Sequence, residues 1–446
     1  MDKDSQLELL SSLIAEARKR GAGAADAVLF ESAALTHSQR LGKTEGIERA
    51  ESADLGLRVL VGKRQAVASS TDLGNEALDR LADQAVAMAK SAPEDPWCGL
   101  ADPSEITHDF PDLDIADAEE PSPKILESRA AAAEDAARAV AGVTNSEGAE
   151  ASWSRTAIAL VASNGFAGTY TVTRHGVSAS VVAGTGRDME SDYDFSSAVF
   201  AGDLEAPEVV GARAGERAVA RLNPRKAATA RIPVVFDNRV SGGLLRAFAG
   251  AISGPSVARG TSFLKDAMGK AVFAAQIDII DDPLRPRGLR TKPFDGEGVA
   301  TARRTLIQGG VLQNWVLDCA SARQLGLATS GNASRGTSGP PSPAPTNLFM
   351  EPGVLSAAAM IKGIKRGFLI NAMMGMGVNA VTGDYSRGAA GFWIEDGEIA
   401  YPVSEVTVAG NLKDMYLNLT AADDLVFRTG TDAPSLRIDG MTVAGR

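Results

Sequence analysis

Histidine is almost missing from this chain. Its 446 residues include three, His37, His108 and His175, and no two of them stand at a metal-ligand spacing. They read as ordinary surface or hydrogen-bonding histidines. Cysteine is scarcer still: Cys98 and Cys319 lie far apart, which excludes a disulfide scaffold and fits two reduced thiols in a cytosolic protein. Aromatic residues make up 5% of the chain against 46 glycines, so tight turns and elements rich in Ala or Val are expected. No apolar run approaches the roughly 20 residues needed to span a bilayer. The polar, acidic start Met1-Asp2-Lys3-Asp4 lacks the basic-then-apolar pattern of a secretion signal, and the cytoplasm is the expected compartment.

An excess of positive charge is also lacking, since the net charge is −11 and the pI about 5.0. A nucleic-acid-binding face neutralises phosphates with Lys and Arg. The densest basic stretch, residues 221–231, carries Arg221, Arg225, Lys226 and Arg231 in a linker-like setting and reads as a solvated connector. Neither a nucleic-acid nor a membrane partner is expected.

What is present is an ordinary globular composition, 44% hydrophobic and 23% charged, in a chain longer than one core comfortably fills. Two domains are expected, 1–222 and 223–446, divided at Asn223-Pro224-Arg225-Lys226. The fold class is α+β: a mixed α/β N-terminal domain, then a strand-dominated, largely antiparallel C-terminal domain. Helical periodicity marks residues 7–20, ended by Gly21, and residues 75–91. Ser122-Pro123 is a helix start, and residues 207–222 form a helix that closes the first half. Strands are expected at 25–32, in a hairpin over 55–70, at 156–162 and at 169–182, with Asn164-Gly165 as a turn. Residues 92–123 read as irregular. In the second half, a strand at 232–236 leads into a helix around Arg246 and a short helix at 261–268. Strands at 272–280 and a hairpin over 305–317 come next, and a helix at 354–365. Strands at 368–381, 391–394, 399–408 and 435–443 complete the chain. Residues 329–347, rich in Pro, Gly and Ser, form a long loop of the kind that often lines sites, and Asn332 and Asn347 are its candidate lining residues.

Three chemical patterns come apart on inspection. Ser262-Phe263-Leu264-Lys265 matches the Ser-x-x-Lys pattern of penicillin-recognising enzymes, but no Lys-Thr-Gly strand accompanies it. Gly375-Met376-Gly377-Val378-Asn379-Ala380 approximates a dinucleotide fingerprint, yet residues 381–386 do not start a helix, so a sheet with tight turns is the better reading. Asp278, Asp281 and Asp282 before Pro283 read as a strand end and turn.

The informative segment is Leu244-Leu245-Arg246-Ala247-Phe248-Ala249-Gly250-Ala251, apolar and helix-prone, placed after the strand-like Ile232-Pro233-Val234-Val235-Phe236. This segment resembles the centre of the TldD/PmbA family, and so do Phe349-Met350-Glu351-Pro352-Gly353, residues 375–384, residues 391–403 and residues 436–443. The catalytic branch of that family carries His-Glu, three residues, then His at this place. Arg246, Ala247 and Ala251 stand where that first His, the Glu and the second His would be, and Gly250 matches the glycine before the second His. A zinc peptidase needs imidazoles for the metal and a carboxylate for the water. The family's third ligand, a cysteine before the C-terminal strand, has no counterpart in residues 423–434.

The resemblance therefore implies the PmbA (TldE) branch: a subunit with no catalytic or metal-binding residue of its own, paired with a TldD-like catalytic subunit that holds the zinc. Such a heterodimer encloses a chamber and cleaves unfolded peptides, in leader-peptide processing and antitoxin-type degradation. A homodimer of the isolated subunit is also compatible. Family members have been described as gyrase modulators, but nothing in this composition points to DNA contact. Arg246 admits two readings, a fixed charge facing a peptide carboxylate or the partner subunit, and a solvated helix residue. Two other functions stay open: a peptidase active by itself through an unrecognised site, and a regulatory binding protein.

Overall fold

The computed structural model describes residues 1–375 and 377–445. The first half is built on one antiparallel sheet. In chain order come helix α1 (Lys3–Lys19) and strands β1 (Ala24–Arg40), β2 (Lys43–Val61) and β3 (Arg64–Ser70). Helices α2 (Asn75–Ser91) and α3 (Pro123–Ala139), strands β4 (Val143–Ala162), β5 (Ala167–Ala183) and β6 (Glu190–Ala198), and helix α4 (Pro207–Ala220) follow. The six strands lie in the order β3-β2-β1-β4-β5-β6. Asp2 caps α1 by accepting the Ser5 amide at 2.8 Å.

Side chains alternate across a strand, and that alternation assigns the faces. Ala25, Ala27 and Leu29 pack under α1 and α2, while Leu35, Ala151 and Trp153 pack under α3. Val28, Ile158 and Leu160 point the other way and meet Phe166 and Phe294, the latter from the second half of the chain. Farther along that second face no helix covers the sheet, and its residues are Ser32, Ala34, Thr36, Ser152, Ser154 and Thr156. This explains why strands expected at 25–32 and 156–162 are in fact 17 and 20 residues long. The extensions bury a few apolar residues, Leu35, Ala151 and Trp153, but also the polar His37 and Gln39, and carry Ser and Thr on the other face, so their apolar period is too sparse to announce them. Strand β6 went unanticipated for the same reason.

The second half opens with β7 (Ala230–Phe236), α5 (Asn238–Ala251) and α6 (Gly254–Ala258). Strands β8 (Ile279–Asp281), β9 (Arg304–Gln308) and β10 (Val311–Leu312) precede α7 (Cys319–Leu325), β11 (Ala333–Ser334), β12 (Ser342–Pro343), β13 (Leu348–Met350) and α8 (Ala357–Lys362). Then come β14 (Arg366–Met374), β15 (Asp384–Glu395), β16 (Glu398–Asn411), α9 (Leu412–Leu417), β17 (Leu419–Ala421), β18 (Thr431–Asp432) and β19 (Leu436–Ala444). Strands β16-β15-β14-β7-β19-β17 form a six-stranded sheet, and β16 also pairs with β19, which closes it on itself. Only β7 and β14 run parallel in it. A five-stranded sheet, β10-β9-β8-β13-β18, lies beside α5. The architecture is α+β, with largely antiparallel sheets in both halves. No helix among the described residues is long and apolar enough to cross a membrane.

Local expectations shifted in the second half. Residues 261–268 are turns rather than helix. They are tied to distant partners as well as to one another: Phe263 N–H reaches the Ala380 carbonyl at 2.9 Å, and the Ser262 hydroxyl donates to the Ala251 carbonyl at 2.6 Å. The expected strand at 272–280 contracts to β8, and the helix at 354–365 to α8. β14 ends at Met374, and β15 already begins at Asp384.

The two halves are joined by a buried ion triad. Asp26 on β1 lies opposite Arg58 on β2 and accepts from its Nε at 2.8 Å. Arg335, from the Pro/Gly-rich loop, meets the other carboxylate oxygen, and all three side chains are buried. Burial alone would raise the Asp26 pKa, but Arg335 and Arg58 together hold it below the usual carboxylate range. Burial lowers Arg335 while the Asp26 charge keeps Arg58 up; a guanidinium stays charged in either case. Removing one member of a buried ionic cluster leaves an uncompensated charge. Asp26→Ala is therefore expected to lower stability by about 3–5 kcal/mol in denaturant titrations at neutral pH. Because the folded pKa of Asp26 is depressed, its contribution is complete above its unfolded pKa of about 4 and is lost as pH falls through the folded value. The gap between wild type and variant should close in acid.

Candidate functional site

Helix α5 carries the segment of interest. Asp237 caps it, accepting the Arg239 amide at 2.9 Å. Leu244, Leu245, Phe248 and Ala251 enter the main core of the second half. The ring of Tyr416 stacks on Phe273 at 4.3 Å, and its hydroxyl donates to the Leu244 carbonyl at 3.0 Å. On the flank of its core-facing stripe, the helix runs against β18. A methyl group on Gly242 would lie 2.5 Å from the Thr431 carbonyl oxygen, so glycine is required there for the helix to approach.

The exposed side of α5 forms one wall of a cleft of about 780 Å³ lined by Arg246 and Ala247 from the helix, Val378 and Asn379 from a turn, and Asp384 and Arg387 from β15. The turn is the stretch that approximated a dinucleotide fingerprint. The Ser386 amide donates to the Gly377 carbonyl and the Asn379 amide to the Asp384 carbonyl, each at 2.8 Å. The Asn379 side chain accepts from Val381 N–H at 3.0 Å. It is a tight turn between strands with no helix behind it, and Met376 of that stretch lies outside the described residues.

Arg246 and Ala247 thus face the cleft. Ala251 does not: it is 2% exposed and packed in the core. The helix is regular through this position, and residues five apart on a regular helix differ by about 140°. Gly250 is exposed, and a side chain there would meet nothing within 4 Å. A metal at this place has no donor from Arg246, Ala247 or Ala251, and no group of three His, Cys, Asp or Glu suited to a metal occurs among the described residues. The side chains present do not fit a zinc centre.

Arg246 has like-charged neighbours. A methyl on Gly243 would stand 3.8 Å from Nη2 of Arg246 and 3.7 Å from Nη1 of Arg387, so both guanidiniums flank one glycine. Arg290 approaches over Gly430, its stem 2.7 Å from where a methyl there would sit. Arg246 keeps contact with solvent, yet partial desolvation, then Arg290 and Arg387, lowers its pKa, with Asp432 opposing. Burial lifts the Tyr385 phenol to about 12 despite the adjacent Arg387. Sequence reasoning named Arg246 but missed Arg290 and Arg387, because three distant segments bring them together and no spacing connects them.

Asn332 and Asn347 sit elsewhere. Asn332 is buried, donating to Asp281 at 2.7 Å and accepting from Ser330 at 2.7 Å. Asn347 is buried too, accepting the Arg290 amide at 2.9 Å and donating to Thr291 at 2.8 Å. Both organise the Pro/Gly-rich loop and its neighbours, and neither lines the cleft beside Arg246. Asp281 serves the same loop, accepting from the Thr346 amide at 2.6 Å. Ser262 is buried in structural hydrogen bonds. Both cysteines are free and buried. The cations of residues 221–231 have partners within the chain: Arg221 pairs with Asp192, Lys226 with Glu405, and Arg225 stacks over Tyr401.

An N-terminal six-stranded sheet, a closed C-terminal sheet and a helix that walls a cleft make up the scaffold of this chain. Family models match it throughout: PmbA/TldA metallopeptidase domain 1 over 25–89, the central domain over 109–222 and the C-terminal domain over 229–445. The chain is 38% identical to Metalloprotease PmbA of Escherichia coli over 99% of its own length and 98% of that protein's. It is 34% identical to a Metalloprotease PmbA homolog of Haemophilus influenzae, over 99% and 97%. A Bacteroides thetaiotaomicron structure, described as a candidate modulator of DNA gyrase, superposes with a TM-score of 0.91 at 27% identity and full coverage of both chains. TldE of Thermococcus kodakarensis shares the fold, with a TM-score of 0.87 at 22% identity over 98% of this chain and all of the other. The chain belongs to the PmbA/TldD family.

Grafting the missing ligands onto this helix tests the geometry. The combined Arg246→His, Ala247→Glu, Ala251→His variant is expected to retain well under one zinc per chain by elemental analysis after dialysis. Residue 251 faces the core, and an imidazole there should also cost about 1–3 kcal/mol from overpacking.

Proposed function

We propose that this chain is the non-catalytic subunit of a heterodimeric zinc peptidase that cleaves unfolded peptides, as in leader-peptide processing and antitoxin-type degradation. It forms part of the enclosed chamber, while a TldD-like partner holds the zinc. The observation that carries this reading is α5, which turns Arg246 and Ala247 to the cleft and Ala251 to the core. Without an imidazole pair or a carboxylate there, the helix can shape a site but cannot activate water. Two free, buried cysteines fit a reducing compartment, and we place the protein in the cytoplasm.

A second reading is a peptidase active by itself through other residues, favoured by the name metalloprotease borne by its 38% identical relative. Zinc stoichiometry separates the two. The chain purified alone, stripped with a chelator and re-exposed to zinc, is expected to retain none after dialysis and to leave an unfolded peptide uncut. Adding a His-Glu-containing family member should produce cleavage. One zinc per chain, or cleavage without the partner, would overturn the non-catalytic reading.

A further inference from the structure

The cleft beside α5 holds an unbalanced positive charge. Several arginines elsewhere have a carboxylate partner: Arg217 pairs with Asp194, and Arg221 and Arg239 with Asp192. Arg246, Arg290 and Arg387 have no such partner among the described residues. The Arg387 Nε donates to the Gly375 carbonyl at 2.9 Å, which leaves its Nη groups beside those of Arg246. Two carboxylates are nearby, Asp384 in the cleft wall and Asp432, and they offset part of the charge of the three arginines while their oxygens already accept hydrogen bonds. Asp384 accepts from Thr382 at 2.7 Å and Asn411 at 3.0 Å. Asp432 accepts from the Thr429 amide at 3.0 Å and the Gly430 amide at 2.9 Å. Holding two guanidiniums over one glycine is unfavourable without an anion between them, and the paired planar forks match a carboxylate.

The rim of the cleft identifies the rest of the ligand. Val378 lines the cleft and is exposed, and Met374 at the end of β14 and Val381 in the following turn are exposed too, a surface for apolar side chains. The chain's net charge of −11 disfavours a polyanion such as nucleic acid. We infer that Arg246 and Arg387, supported by Arg290, bind a carboxylate of an extended polypeptide whose neighbouring side chains rest on the Met374, Val378 and Val381 rim. The inference rests on the reading of this chain as a peptide-handling subunit, and gives that subunit a preference for acidic segments.

The test uses the full chain alone and a fluorescent, unstructured peptide of Gly, Ser and Val residues with one central Glu, beside its Gln counterpart. Anisotropy should show the Glu peptide binding at least about tenfold more tightly, with the difference shrinking as NaCl is added. Arg246→Gln and Arg387→Gln should each abolish that difference while leaving the Gln peptide's affinity unchanged, which also reports that the variants are folded. Arg246→Lys should keep part of the preference. Equal binding of the two peptides by the wild type, no binding of either, or a preference that survives both Gln variants would overturn the inference. Should one variant fail to fold, the wild-type comparison and the other variant still decide. The measurement involves neither zinc nor the catalytic partner, so its failure leaves the subunit assignment standing, and failure of reconstituted cleavage leaves this result standing.

Discussion

Asp26 is the point on which the two halves depend. Its strand belongs to the N-terminal sheet, and one of its two arginines, Arg335, arrives from a loop more than 300 residues away in sequence. The loop comes so close to β2 that a methyl on Gly56 would lie 2.6 Å from the backbone of Thr337. Apolar contact is also made at this junction, where Phe294 packs among Phe166, Phe110 and Tyr170. Such contact is non-directional, however, and tolerates sliding. The triad supplies direction: a carboxylate between two guanidiniums fixes register in a way that a set of rings does not.

The Pro/Gly-rich loop is therefore scaffold over much of its length. Its polar residues do not reach for a ligand. Asp281 receives the Thr346 amide and the Asn332 side chain, and Asn347 receives the Arg290 amide. That last bond matters for the cleft, because it anchors the backbone from which the Arg290 side chain extends over Gly430. A buried network on one side of the loop thus sets the position of a charge on the other. Polar networks of this kind rigidify when every member is satisfied, and a fixed charge acts on a ligand more strongly than a mobile one.

Much of the helical layout was legible in the sequence because its physics is local. Ser122-Pro123 begins α3, and the apolar spacing of residues 75–91 gives α2 with the bounds expected from periodicity. The α+β class was legible for the same reason. The long extensions of β1, β2 and β4 were not, since their apolar residues are few, as with Leu35, Ala151 and Trp153 under α3, and the other face carries small polar side chains. Residues 261–268 had helical composition but are held by Ala380 and Ala251, contacts no local window contains. At the cleft, sequence placed Arg246 and the loss of the metal motif. It could not place Arg290 and Arg387, which arrive through tertiary closure, and Asn332 and Asn347, read as loop residues that line a site, stand apart from the cleft beside Arg246.

The helix shows how one scaffold can lose one chemistry and remain able to host another. What holds α5 in place is Gly242 against Thr431, Tyr416 on Leu244, and Phe248 in the core. Arg246 and Gly250 take no part in the core, and Ala247 packs only partly against it. Substitution at the cleft-facing positions therefore changes the chemistry of the wall without moving the wall. Two histidines five residues apart require a distorted helix to converge on one ion; with the ligands gone that requirement disappears, and a regular helix can bury residue 251. The burial of Ala251 leaves this position of the helix without access to the cleft. The outward residue Arg246 meets the field of Arg387 and Arg290. Fold and site are separable here because core contacts and cleft contacts are made by different faces of the same helix.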